Sequence, residues 1–167
     1  VAARHAASQR RDVRPERWAI AASPAVHSSI ANAARVMDVD VLWVDGDTEG
    51  RLSGEALDAA FTAQPEQVDG VFAVVANVGA TNAGIVDHLD SVADFCSRRD
   101  IWLHIDGAYG LAAMASPRVR SRLTGLERAD SFVVDPHKWL FAPYDCCALV
   151  YRDPVRSASA HSQHAGY

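Results

Sequence analysis

The 167-residue sequence contains very little lysine. Of its 16 lysine and arginine residues fifteen are arginine, and Lys138 is the one lysine. A general preference for arginine would explain most of this imbalance. However, arginine replaces lysine only as a cation, because its guanidinium stays protonated and cannot act as an amine nucleophile. A lysine that remains in such a background is therefore a candidate for covalent chemistry.

Other scarce features exclude whole classes of protein. The longest apolar runs, such as residues 71–76, are far too short to span a bilayer, and no secretory signal opens the chain. The net charge of −5 argues against a nucleic-acid or acidic-membrane partner. The three cysteines are odd in number and two of them are adjacent, which disfavours a disulfide framework. We therefore expect a reducing compartment and a cytoplasmic protein.

The two ends of the sequence indicate a piece of a longer protein. The chain begins with Val1 instead of methionine, and residues 1–7 are typical of the last turns of a helix. The end, at Tyr167, carries no terminating signal. Composition and length predict one domain, so we expect residues 1–167 to form part of a single domain that is incomplete at both ends.

Short apolar runs alternate with helical patterns along the chain. The runs are rich in Val, Ile, Trp and Phe, as expected for strands buried on both faces, and cover residues 18–22, 41–44, 71–76, 101–105, 131–134 and 146–151. Cys146 and Cys147 are interpreted as small core residues of the last strand. Alternating strands and helices predict an α/β fold with a mainly parallel sheet between helices.

Three helices have recognisable starting signals. An apolar stripe of helical spacing runs from Ile85 to Cys96, with Asp87 and Asp90 in its first turns. Ser53 is a predicted N-cap, and Ser116 precedes a proline in the manner of an N-cap. The helix after Ser53 should direct Leu57 and Phe61 towards the core.

Polar side chains follow the predicted strands at their carboxyl ends, where open α/β sheets bind ligands. His27 follows the first strand, Thr81 the third, Asp106 the fourth and Lys138 the fifth. The Asp106 carboxylate follows a buried strand and therefore needs a partner. On one interpretation it caps a helix or forms a local turn, and on the other it faces a cationic atom of a ligand. We see no residue set that predicts a metal site.

Four motifs in order resemble those of the group II pyridoxal-phosphate-dependent amino-acid decarboxylases, the family of aromatic-amino-acid, histidine and glutamate decarboxylases. Any one of the motifs would be weak evidence, but together they span most of the chain. They are Ala25-Val26-His27-Ser28-Ser29, Asn77-Val78-Gly79-Ala80-Thr81, His104-Ile105-Asp106-Gly107-Ala108-Tyr109-Gly110, and Asp130 to Leu140 followed by Pro143-Tyr144-Asp145-Cys146.

The resemblance implies pyridoxal 5'-phosphate as cofactor and four main roles. Lys138 matches the lysine that holds the cofactor as a Schiff base, and Asp106 matches the carboxylate that pairs with the pyridinium nitrogen. His27 matches the histidine that stacks on the ring, and Thr81 matches a threonine near the ring and its substituents. A carboxylate beside the ring nitrogen favours its protonated form, which lets the ring accept charge from the substrate.

The resemblance also implies cofactor contacts for three further residues. Ala108 matches a small residue packed against the ring, and His137 matches a histidine near the phosphate and substrate. Asp135 stands where the family places a phosphate-side residue, although an acidic side chain would repel phosphate, so a backbone contact fits better. This chain also has Ala80 where the family often has a threonine.

We therefore expect the incomplete large domain of a fold type I enzyme that decarboxylates an L-amino acid, with an amino-acid substrate and a homodimeric parent. The family's phosphate-binding loop should precede Val1, and the mobile catalytic loop and small domain should follow Tyr167. Two alternatives remain: another reaction on the same scaffold, such as an aminotransferase or lyase, and a fragment that is catalytically incompetent by itself.

Overall fold

Six strands form one sheet in the computed structural model, which describes residues 1–162. The strands are β1 (Ala19–Ala22), β2 (Asp40–Trp43), β3 (Val71–Asn77), β4 (Trp102–Asp106), β5 (Ser131–Val134) and β6 (Ala148–Tyr151). Their order is β2-β1-β3-β4-β5-β6, and the first five are parallel, whereas β6 runs antiparallel to β5. The predicted α/β class and mainly parallel sheet are confirmed.

Helices occupy the connections, as crossovers between parallel strands require. They are α1 (Ala2–Gln9), α2 (Ser28–Met37), α3 (Gly54–Ala63), α4 (Pro65–Val68), α5 (Leu89–Arg99), α6 (Pro117–Arg120) and α7 (Pro154–Ser159), with 3₁₀ turns at Gly110–Ala115, Ser121–Leu123 and Leu126–Arg128. Within residues 1–162, none of the helices has the length and apolar character needed to cross a membrane.

Two apolar cores lie on opposite faces of the sheet. One contains Leu57 and Phe61 of α3 and Phe95 of α5, and the rings of Phe61 and Phe95 meet edge to face at 4.8 Å. The other contains residues from α1 and α2 together with Trp18 and Phe72, whose rings are 5.9 Å apart. Every residue of β3 is buried, because this central strand is covered on both faces.

The predicted helix starts agree with the structure only in part. Ser53 caps α3 as expected, since its hydroxyl accepts a hydrogen bond from the Ala56 N–H at 3.2 Å. Ser116 precedes α6 but makes no side-chain cap. The prediction that Asp87 lies in the first turn of a helix is wrong, because α5 begins at Leu89 and Asp87 is buried in the preceding loop.

The prediction for Cys146 and Cys147 is also wrong. β6 begins at Ala148, so both cysteines lie in the loop before the strand, and both are exposed. Apolar character alone did not separate the strand from this loop. The hairpin of β5 and β6 pairs Val134 with Ala148, and continuing that register places Cys147 opposite Asp135.

Candidate active site

A cavity of about 650 Å³ opens at the carboxyl ends of the central strands. It extends along the face of the sheet that α1 and α2 cover. Six of the seven predicted site residues line it: His27, Thr81, Ala108, Asp106, Asp135 and Lys138. The sheet order explains this convergence, since β1, β3, β4 and β5 are consecutive neighbours and their parallel course brings their ends together.

His27 is held in place by the helix that it starts. It is the N-cap of α2, and its Nδ1 accepts a hydrogen bond from the Ser29 N–H at 3.2 Å. The Ser29 hydroxyl lies 2.9 Å from the same nitrogen. The first N–H groups of a helix have no partner within the helix, so a side chain that accepts from one of them is favoured at this position. The cap therefore fixes the ring beside the cavity.

The ends of β3 and β4 place Asp106 and Thr81. Asn77 pairs with Asp106 across the two strands. The Asp106 Oδ1 accepts a hydrogen bond at 3.2 Å from the N–H of Ala108, two residues further along the chain. The chain then leaves β3 through Gly79, whose φ of +85° suits glycine. A Cβ on Gly79 would lie 2.9 Å from the Cα of Gly110, so the two loops touch through glycine.

Lys138 lies in a turn that follows β5. Its backbone N–H donates to the Asp135 carbonyl at 2.9 Å, and the Asp135 N–H donates to the Ala108 carbonyl at 3.0 Å. The lysine Nζ forms an ion pair with Asp135 Oδ2 at 2.8 Å. The other carboxylate oxygen, Oδ1, is buried and has no hydrogen-bond partner among the described residues.

His137 is the predicted site residue that does not line the cavity. Its Nδ1 lies 2.7 Å from the Cys146 carbonyl oxygen, which identifies Nδ1 as the protonated nitrogen. Its ring meets Tyr144 edge to face at 5.1 Å. These contacts direct the ring towards the loop before β6, and its role in binding the cofactor stays a prediction.

A hydrogen-bonded network that the sequence did not reveal lies beside Asp106. Trp102 Nε1 donates to Ser131 Oγ at 2.8 Å, which leaves the serine hydroxyl free to donate to His104 Nδ1, also at 2.8 Å. Burial lowers the pKa of His104, although the Asp106 carboxylate partly opposes that shift. His104 is thus a neutral imidazole in the cavity wall, two residues before Asp106 on the same face of β4.

Asp87 is a second group whose role the sequence did not show. Its Oδ2 accepts from the Asn77 backbone N–H at 2.6 Å and from the Asn77 side-chain amide at 3.1 Å, while Oδ1 accepts from the Leu52 N–H at 2.8 Å. Burial raises the pKa of Asp87, and these three donors oppose the shift. The carboxylate ties the end of β3, from which Thr81 departs, to the loop before α3.

Cys147 is a third residue whose place in the site the sequence did not show. It lines the cavity opposite Asp135. The pKa of its thiol is raised to about 11, first because the Asp135 carboxylate favours the protonated form and then because the cavity wall partly desolvates this otherwise exposed side chain. For Asp135 itself burial raises the pKa, but contacts with Cys147 and Lys138 outweigh that effect, so its pKa is lowered.

Comparison with known proteins identifies relatives over most of the chain. The family described as "Pyridoxal-dependent decarboxylase conserved domain" matches residues 1–167. An aromatic-L-amino-acid decarboxylase of Bacillus atrophaeus is 39% identical over 132 residues, covering 77% of this chain and 28% of the relative. An acidic amino acid decarboxylase of Homo sapiens is 36% identical over 130 residues, covering 76% of this chain and 25% of the relative.

Solved structures agree with the sequence comparison. The crystal structure of Oryza sativa TDC with PLP and tryptamine superimposes with a TM-score of 0.82 at 34% identity, covering 94% of this chain and 35% of that one. The likeness confirms the expected large-domain fold of fold type I pyridoxal-phosphate enzymes. The chain spans between a quarter and about a third of the length of these relatives.

Proposed function

The chain belongs to the pyridoxal-dependent decarboxylase family, and on that premise we propose that its parent protein converts an L-amino acid into an amine and CO2. One observation carries the proposal: a lysine, a carboxylate and a histidine from three different strand ends line one cavity. The two relatives described above are named for aromatic and for acidic amino acids, so the proposal extends to L-amino acids as a class.

The residues present fit pyridoxal phosphate. Asp106 uses one oxygen for the Ala108 N–H, which leaves Oδ2 available to a protonated ring nitrogen. Lys138 supplies the primary amine that would hold the cofactor covalently, and the His27 ring is fixed by its helix cap where a flat ring could stack on it. Thr81 and Ala108 line the same cavity and leave room for the ring.

The bound cofactor supplies an electron sink for the charge left on the substrate α-carbon when CO2 departs. Asp106 would stabilise a positive charge at the ring nitrogen, because an opposite charge nearby favours the protonated form. His27 would restrain the plane of the ring. The Lys138 amine lines the same cavity and would be the group that carries a proton back to the substrate.

The proposal extends to the organisation of the parent protein. Residues 1–167 would be part of its cofactor-binding large domain, with a phosphate-binding segment and a small domain elsewhere in the parent. A homodimer agrees with the family resemblance. A cytoplasmic location agrees with the three cysteines, which form no disulfide. The exposed side chains of Trp139, Leu140, Phe141 and Tyr144, in the loop after Lys138, are consistent with further protein covering this edge.

The test uses the full-length protein and its Lys138→Ala and Lys138→Arg variants. Incubation with pyridoxal phosphate should give the visible absorption band of a lysine-bound cofactor, and both variants should lack it. Lys138→Arg retains the cation that pairs with Asp135, so it separates loss of the amine from loss of the charge. Persistence of the band in either variant would refute the assignment of Lys138.

Product analysis then identifies the reaction. Release of CO2 together with an amine from one member of an amino-acid panel supports decarboxylation, and a keto-acid product rejects it in favour of amino transfer. The same measurements on the 167-residue chain test whether it is competent by itself. Tight, saturable binding of the cofactor would exclude the interpretation of an incompetent fragment.

A further inference from the structure

The ion pair between Asp135 and Lys138 has no part in the roles that the family resemblance implies. We propose that Asp135 is a positioning residue for Lys138: its carboxylate holds the lysine ammonium at the cavity wall until covalent capture of an aldehyde draws the amine away. The inference rests on the proposed function for the identity of the aldehyde. The contact itself does not depend on it.

The geometry indicates a contact stronger than an ordinary surface ion pair. The two charged atoms are 2.8 Å apart, and the Asp135 side chain is only 12% exposed, whereas the Lys138 side chain is 40% exposed. Exposed ion pairs contribute little, because water screens them, but a carboxylate that is largely buried depends on its few remaining partners. Oδ1 has no hydrogen-bond partner among the described residues, so the lysine ammonium at Oδ2 and the Cys147 thiol are the two groups that stabilise this carboxylate.

Lys138 is the cation that forms an ion pair with Asp135, although His137 also favours the charged carboxylate electrostatically. Lys138 is the only lysine or arginine that lines the described part of the cavity. The Cys147 thiol stays protonated, as its raised pKa of about 11 requires. His137 donates from Nδ1 to a carbonyl, Asp106 carries a like charge, and His27 is occupied as a helix cap.

The contact matters because capture requires the neutral amine. The ammonium must first give up one proton, after which the nitrogen lone pair attacks the aldehyde carbon, a carbon–nitrogen double bond forms and one water leaves. The carboxylate 2.8 Å away pairs with the ammonium and restrains its position, so this ion pair must separate before the nitrogen can attack. Asp135 thereby keeps the reactive amine in one place and protected from other electrophiles.

This role differs from the phosphate-side role that the family resemblance implies for the same residue. A phosphate-side effect of Asp135 would depend on the phosphate of the ligand. An effect through Lys138 would depend only on the amine and would be the same for any electrophile that reaches it. The two possibilities can therefore be separated by changing the electrophile.

The experiment compares cofactor-free full-length protein with its Asp135→Asn variant. The probes are pyridoxal phosphate, pyridoxal and acetic anhydride, and the rate of modification of Lys138 is followed by peptide mass spectrometry. We expect Asp135→Asn to react about fivefold faster than wild type with all three probes, because that factor corresponds to the loss of an ion pair worth about 1 kcal/mol. Asp135→Ser is a second neutral variant and is judged by the same criterion.

Asp58→Asn is the matched control. It removes one negative charge whose partners, Arg98 and Arg99, lie at 2.8 and 3.0 Å at the end of α5, outside the cavity lining. Its rates should equal those of wild type. Equal rates in wild type and both Asp135 variants would overturn the proposal, and so would an acceleration that is confined to pyridoxal phosphate. Faster acetylation without capture of either pyridoxal compound would support the role of Asp135 and reject the proposed function.

Discussion

Asp87 offers a sharp test of how the loops around the cavity are held. Its side chain is 3% exposed and accepts three hydrogen bonds, one from Leu52 and two from Asn77. Asp87→Asn keeps the shape of the side chain but turns one acceptor oxygen into a donor. Whichever way the amide is oriented, at least one buried N–H group then faces another N–H group.

The cost can be estimated from these contacts. In the better orientation the amide oxygen keeps both Asn77 donors, and the bond from Leu52 is lost. Leaving a buried donor unsatisfied costs about 1–3 kcal/mol, and relief of the burial cost of the carboxylate returns part of it. We expect a net loss of about 2 kcal/mol, which lowers the melting temperature of a domain of this size by about 4–8 °C.

The assay is thermal and urea unfolding, with Asp90→Asn as the matched control. Asp90 is exposed and pairs with Arg128 at 3.3 Å, and Arg128 has a second, shorter contact with Asp94. The control should therefore change stability by about 0.5 kcal/mol or less. If Asp87→Asn proves no less stable than Asp90→Asn, the described network does not hold the end of β3.

Three further predictions concern the cavity itself. His27→Ala should lose cofactor affinity and about 1 kcal/mol of stability in urea unfolding. His27→Asn should lose only the cofactor affinity, because asparagine is a good N-cap. Equal losses of stability in the two variants would contradict the capping role. Asp106→Asn should still show the visible band but decarboxylate at least about 100-fold more slowly in a CO2 assay, as expected when a fixed charge is removed from a reacting group; unchanged turnover would reject the pairing with the ring nitrogen. At pH 8 only about one in a thousand Cys147 side chains should be thiolate, so alkylation measured by mass spectrometry should be slow and should become faster towards pH 11. Alkylation should also be faster in Asp135→Asn. Rapid alkylation of the wild type at pH 8 would contradict the raised pKa.

The pattern of apolar residues along the chain was sufficient to predict the strands and the convergence of their carboxyl ends. Six apolar runs became six strands whose boundaries differ from the predicted ones by no more than two residues. Parallel strands in neighbouring positions must bring their carboxyl ends to one edge, so the convergence of Asp106 and Lys138 followed from order along the chain. Periodicity and topology carry this information because both depend on residue spacing and not on side-chain detail.

What the sequence did not predict depends on contacts between distant segments. Asp87 looks like an acidic residue at a helix start, and only its burial against Asn77 and Leu52 reveals its structural role. The contact of His104 with Ser131 requires the pairing of β4 with β5. A missed signal was available at Cys147, because an antiparallel final hairpin would have placed it opposite Asp135.

The backbone around Lys138 is fixed from several directions, which bears on how the site becomes loaded. The Asp135 N–H is bound to the Ala108 carbonyl, the Lys138 N–H to the Asp135 carbonyl, and the Ala142 N–H to the Pro136 carbonyl. Only rotation about side-chain bonds is then needed to move the lysine amine from Asp135 to an aldehyde in the cavity. Rotations of exposed side chains take nanoseconds or less, so rearrangement of this turn would not limit capture. What remains for the protein is to separate the lysine ammonium from Asp135, and that is the contact which Asp135→Asn removes.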